Sequence, residues 1–217
     1  MLDNSSKIKS RPKDNFHCFM GTGRAFWRSV ATGRGEPELK NSPDGYYFAP
    51  KEDLDGCAVQ NGGIQAPREE ILPDRAVYFR FYSTHAANRY GRSAWVGNWW
   101  LADSGFQHLA SIARTTGQPL QRVAQNYLAI PAEWSDCGYI VKAVLNVKLK
   151  AWVGHGRAAH GAISPDSDLR SKGDGGLYWM PGCISPPQLF IPGAREPIAG
   201  FFTPISQGRS ATFGGHS

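Results

Sequence analysis

Residues 75–83, Arg75-Ala76-Val77-Tyr78-Phe79-Arg80-Phe81-Tyr82-Ser83, alternate between two kinds of position. Successive side chains of an extended chain leave opposite faces, so Val77, Phe79 and Phe81 share one face and Tyr78, Arg80 and Tyr82 the other. The stretch predicts a strand with one buried apolar face and one face that carries an arginine between two tyrosines. Downstream, Gly97-Asn98-Trp99-Trp100-Leu101 reads as a second short strand. Residues 105–113 and 119–127 read as helices, the latter with Leu120, Val123, Ala124 and Tyr127 at helical spacing. Pro131 follows Leu128-Ala129-Ile130 and closes that element, because its ring and missing N–H cannot continue a helix. Residues 139–153, YIVKAVLNVKLKAWV, are the longest β-rich run and predict two strand segments with a bend near Asn146. Residues 154–176 read as loop. Gln188-Leu189-Phe190-Ile191, set between Pro186-Pro187 and Pro192, reads as a last short strand. Strands interspersed with a few short helices predict an α+β domain.

Upstream, residues 16–70 read as short strands and loops, among them 46–50 and the stretch around Cys57 to Gly63, with the potential to pack across the sheet as a lid or wrap. Gly21-Thr22-Gly23 lacks the spacing of a phosphate loop and reads as a turn. Residues 1–15 carry Lys7, Lys9, Arg11 and Lys13 among polar neighbours and read as a flexible linker. Residues 205–217 are rich in Gly and Ser and read as a flexible tail. A single catalytic domain is expected over 16–204.

A chain of 217 residues with 41% hydrophobic residues is long enough to bury a core. The 25 glycines, 15 prolines and 12% aromatic residues favour turns and sheet over long helices. The formal charge of +6 favours anionic ligands, but the lysines and arginines are scattered rather than striped, which argues against nucleic acid as the main partner. Cys18, Cys57, Cys137 and Cys183 stand far apart with no CxxC pair, so a structural zinc site is not expected. His155 and His160 have no carboxylate at helical spacing and are not read as metal ligands. No GxSxG marks a serine hydrolase, and Glu133, Asp136 and Glu196 have no setting that suits paired-carboxylate chemistry. No apolar run reaches membrane-spanning length and no signal peptide is legible. An exported protein of this sequence would need another carrier, such as fusion to a larger secreted polypeptide.

The residues able to hold a flat, charged ligand are few. Trp99 and Trp100 point to opposite faces of their strand, so one indole is placed to stack on a flat ring while the other joins the core. Arg80, or Arg89 in Asn88-Arg89-Tyr90-Gly91, offers a planar fork for a pyrophosphate or a carboxylate. Gln188 brings an amide that can hydrogen-bond ribose hydroxyls without carrying charge.

The order of these segments resembles the NAD-cleaving toxin domains related to the tuberculosis necrotizing toxin, and ADP-ribosyltransferase-like polymorphic toxins more broadly. The segments are Asn88-Arg89-Tyr90-Gly91, Gly97-Asn98-Trp99-Trp100, Tyr127-Leu128-Ala129-Ile130-Pro131, the β-run ending in Trp152-Val153-Gly154, then Gly175-Gly176 and Pro187-Gln188-Leu189-Phe190. The resemblance covers about residues 75–192. It implies an ADP-ribosyltransferase-like split antiparallel sheet that takes NAD as substrate and cleaves its nicotinamide–ribose bond. In that reading Arg80 or Arg89 grips the phosphates, Trp99 or Trp100 with Tyr82 or Tyr90 stacks on nicotinamide, and Gln188 orients the ribose. The sequence departs from the family pattern in three ways. Asn88 stands where an Asp is common, LYWMPGCISPP separates the glycine pair from Gln188, and no Glu occupies the late strand. The last departure favours hydrolysis over transfer of ADP-ribose to a protein or RNA. A non-catalytic β-rich binding domain is the alternative of a different class. The resemblance further implies delivery into a target-cell cytoplasm by a specialised secretion route, a role in interbacterial competition, and a neutralising immunity protein in the producer.

Overall fold

The computed structural model describes residues 14–33, 51–52, 58–59, 62–91, 94–132, 134–161, 178–180, 186–192 and 198–213. Residues 46–50, Cys57, Cys183, Glu133, Glu196 and Gly175-Gly176 lie outside them. A 3-10 turn (Phe16–Phe19) leads into α1 (Gly21–Ala31), followed by the two-residue strands β1 (Lys51–Glu52) and β2 (Ala58–Val59). Then come β3 (Ile64–Leu72), β4 (Val77–Tyr82), α2 (Thr84–Tyr90), β5 (Trp99–Ala102), α3 (Asp103–Thr116) and α4 (Leu120–Tyr127). β6 (Tyr139–Leu145), β7 (Leu149–Gly156), β8 (Ala159–Gly161), β9 (Tyr178–Met180), β10 (Gln188–Phe190), α5 (Ile198–Phe201), β11 (Phe202–Arg209) and α6 (Ser210–Phe213) complete the chain. The fold is α+β, as the sequence predicts.

Seven strands form one antiparallel sheet in the order β11-β6-β4-β5-β10-β7-β3. The sheet is split at β5. β4 pairs with β6 along its whole length, from Val77↔Val144 to Tyr82↔Tyr139. It meets β5 at Tyr78↔Ala102 and Phe79↔Leu101, the C-terminal half of that strand. The N-terminal half of β5 pairs instead with β10, at Leu189↔Trp100 and Phe190↔Trp99. One short strand thus joins two half-sheets through different ends.

The pleat decides what each face carries. On β4, Phe79 and Phe81 turn toward α3 and α4, where Phe79 stacks on Phe106 with centroids 4.0 Å apart. Full burial of one such ring stabilises the fold by about 1.5–3 kcal/mol. Tyr78 and Tyr82 turn to the opposite core with Trp95, Trp100, Phe201 and Phe202. The second face of β4, the one that carries Arg80 between the two tyrosines, is therefore covered as well. The register also lines up Trp99, Phe190, Trp152 and Glu69 as one row across β5, β10, β7 and β3. The 3-10 turn and α1 lie on this row: Phe19 approaches Trp152 at 5.1 Å and Trp27 approaches Phe190 at 6.1 Å.

Four expectations change. Gly21-Thr22-Gly23 is the first turn of α1, not a free turn; its glycines hide an apolar face of Phe26, Trp27, Val30 and Ala31. Asn15 is not linker: it is fully buried and ties Lys150 through both its Nδ2 and its Oδ1, with a further bond to the Pro192 carbonyl. The tail expected over 205–217 is instead edge strand β11, paired to β6, and then α6, whose Ser210 hydroxyl bonds the Cys137 carbonyl; residues 214–217 lie outside the described residues. Within the expected 154–176 loop, β7 runs on to Gly156 and β8 follows.

Candidate functional site

The sheet divides the seven candidate residues among three places. Gln188 and Trp99 are on the face covered by α1, α3 and α4. Gln188 is 8% exposed on β10, opposite Gly154 of β7. Its Nε2 donates to the Leu128 carbonyl at the end of α4, at 3.0 Å. Among the described residues no donor reaches its Oε1. Gly156 leaves room for the amide: a Cβ there would stand 2.5 Å from Nε2. Trp99 is half-buried and meets Phe190 edge-on at 5.0 Å, two positions along β10 from Gln188.

Arg80, Tyr82 and Trp100 belong to the opposite face. Arg80 sits in the angle that opens where β5 leaves β4. Its Nε donates to the Trp95 carbonyl at 2.7 Å, and its terminal nitrogens to those of Trp99 at 3.2 Å and Val96 at 3.5 Å. The guanidinium thus takes the place of ladder partners that the splayed strands cannot give each other. Gly97 is required there, since a Cβ would collide with the guanidinium. Trp100 is 2% exposed, stacks on Phe202 at 4.1 Å and donates its Nε1 to the Gly97 carbonyl at 2.8 Å. Of the paired tryptophans, Trp100 is the core residue. Tyr82 is buried against Tyr139; burial and then Tyr139 raise its pKa, with Arg80 opposing.

Arg89 and Tyr90 are exposed at the C-terminal end of α2, with the guanidinium 5.2 Å from the tyrosine ring centroid. The alanines of that helix, Ala86 and Ala87, pack on the core that contains Trp100, away from Gln188.

No family model matches the chain, and no curated protein matches it. Among solved structures, that of Tne2 in complex with Tni2 is similar, at 15% identity over 66% of this chain and 91% of that one, with a TM-score of 0.40.

Sequence reasoning passed over the partners that fix Gln188. Leu128-Ala129-Ile130-Pro131 reads as a helix stop, yet its first carbonyl anchors the amide. The next residue, Ala129, has φ 51°, left-handed backbone that costs a non-glycine residue about 1–2 kcal/mol. It is buried against Ala159. Such a conformation persists where the surroundings over-determine it, here directly beside the Gln188 contact. A second oversight is Asp136. Its Oδ1 accepts from the N–H of Thr84 at 2.8 Å and of Gly138 at 3.0 Å, stapling the start of α2 to the turn before β6. Burial pushes its pKa up, but the bonds from Thr84 and Gly138 outweigh this and hold it below the ordinary value.

Proposed function

We propose that this chain binds NAD and breaks its nicotinamide–ribose bond, with water as the acceptor, in the manner of an ADP-ribosyltransferase-like toxin. The observation that supports the reading is the fixed amide of Gln188. It is buried on β10, between β5 and β7, one N–H of its Nε2 donates to the Leu128 carbonyl, and Trp99 shares its face. With one Nε2 N–H held by the Leu128 carbonyl, the amide is fixed in orientation and offers its carbonyl oxygen as acceptor. Cleavage moves positive charge from the nicotinamide ring to the ribose in a cation-like transition state. A carbonyl oxygen held against that ribose, accepting from its hydroxyls, gains strength as the charge develops, and an anchored one spends nothing on reorganisation. The leaving group is already cationic in the substrate, so no strong general acid is needed.

Trp99 stacks on nicotinamide in this reading. Arg80 is a positioning residue: it holds the 95–99 segment that carries Trp99. Arg89 and Tyr90 stand apart and take no part. Hydrolysis is favoured over transfer because β10 (QLF) and β11 (FTPISQGR) carry no glutamate to position an acceptor. A chain that destroys NAD endangers its producer, so the reading carries a neutralising partner with it.

The test is to incubate purified protein with NAD labelled in the adenosine half, alone and with cell lysate. Label recovered as free ADP-ribose in both supports hydrolysis. Label on a protein or RNA, appearing with lysate alone, replaces it with transfer. Intact NAD in both leaves a binding domain.

A further inference from the structure

α4 ends in a reversal that its sequence does not favour. Leu128 caps the helix, Ala129 follows with φ 51°, and the Ile130 N–H returns to the Gln125 carbonyl at 2.9 Å. This closure through a left-handed residue is the Schellman motif, whose left-handed position is usually glycine because a Cβ is strained there. α3 obeys that preference. It ends on Gly117 with φ 68°, where a Cβ would meet nothing within 4 Å. α4 uses alanine instead, and there the methyl has something to touch: it is 3% exposed and packs on the fully buried Ala159 of β8.

That methyl and the carbonyl that holds Gln188 belong to one unit. The peptide between Leu128 and Ala129 is planar, so φ of Ala129 alone fixes how the Leu128 carbonyl is turned relative to the Ala129 Cβ. The last carbonyls of a helix find no partner within it, and this one accepts from Gln188 Nε2 at 3.0 Å. On its other side the amide nitrogen faces Gly156, from which the chain runs through Arg157 and Ala158 into β8. The amide thus stands between the end of α4 and the end of β7. The contact of Ala129 with Ala159 ties those two ends together.

We propose that Ala129 is a positioning residue for Gln188, an inference that rests on the reading of the Gln188 amide as the acceptor facing the ribose. Ala129 touches no substrate. Its methyl, held against Ala159, sets the direction of the Leu128 carbonyl and, through it, the plane of the amide. Glycine at 129 would close the helix with less strain but would leave the 128–129 peptide free to swing, and the amide with it. Ease of closing the helix and fixity of the amide therefore ask for different residues at this position.

The experiment follows exchange of the Gln188 side-chain amide protons by NMR in the full chain, in Ala129→Gly, in Ala159→Gly and in the double variant. Nicotinamide release from NAD is measured on the same four proteins. Ala129→Gly folds, because glycine is the residue the motif prefers. In it the hydrogen-bonded amide proton is expected to exchange about tenfold faster. Its kcat is expected to fall about fivefold with KM unchanged, the mark of an interaction that matters in the transition state. Ala159→Gly shows the same losses, and the double variant adds nothing to them, because one contact is removed in every case. Unchanged amide exchange in a folded Ala129→Gly, or unchanged kcat, overturns the proposal. An unaltered chain that releases no nicotinamide removes the NAD reading instead, and the exchange rates then decide by themselves whether Ala129 holds the amide.

Discussion

Gln188 and Gly156 share one space: the amide nitrogen of Gln188 lies 2.5 Å from where a Cβ of Gly156 would stand. The amide keeps its bond to Leu128 because position 156 carries no side chain. Gly156→Ala therefore dislodges the amide without touching Gln188. The fold survives, because the crowded atom is the end of a flexible side chain, at a cost of about 1 kcal/mol for the lost hydrogen bond. Urea unfolding and nicotinamide release measured on the same preparation check this. A folded Gly156→Ala with undiminished turnover would show that the anchored amide is not needed.

Arg80 is expected to behave as a structural arginine. Arg80→Lys keeps the charge, but an ammonium cannot span the carbonyls of Trp95, Val96 and Trp99. Loss of the fork costs about 1–3 kcal/mol. Hydrogen exchange should rise in residues 95–99 before it rises elsewhere. An Arg80→Lys protein as stable as the original, but unable to bind NAD, would instead make Arg80 a ligand.

Acid should weaken the staple at Asp136. Its pKa is lowered in the folded chain, so its contribution is complete above the ordinary carboxylate range, near 4, and is lost as pH falls through the folded value. Asp136→Asn is less stable at neutral pH, and the gap closes below about pH 4. Melting curves across that range decide it; a gap independent of pH removes the carboxylate's charge from the account.

Cys137 should be inert. Burial first, and then the nearby Asp136 carboxylate, push its thiol up to about 12, with Ser135 opposing. Thiolate is the reactive form. Iodoacetamide at pH 8 is expected to leave Cys137 unmodified in the folded chain and to label it fully in denaturant, as peptide mapping will show. Rapid labelling of the folded chain would contradict its burial.

The parts of the fold legible in sequence are those where one chemical pattern coincides with one environment. Alternation over 77–82 marks β4, apolar spacing over 120–127 marks α4, and the pleat separates Trp99 from Trp100. β3 was illegible because an edge strand with Pro67 and three charged residues in a row has the composition of a loop, and edges favour such residues. β11 is mostly exposed and polar for the same reason. The candidate site was half legible. Gln188 and the tryptophans stand out as residue types, but which face each occupies depends on the pairing of β10 with β5 and β7, strands that are distant in sequence. The contacts of Arg80 were not legible, because a guanidinium that bridges splayed strands has the same sequence signature as one that awaits a phosphate.

The central claim is best tested by the rate of nicotinamide release from NAD by the purified chain and by Gln188→Ala, with folding of both confirmed by melting. The account predicts release of nicotinamide and ADP-ribose in equal amounts by the unaltered chain, and a loss of at least about a hundredfold in Gln188→Ala, as expected when a transition-state acceptor is removed. Release by a folded Gln188→Ala at the original rate, or no release by the unaltered chain, would contradict it.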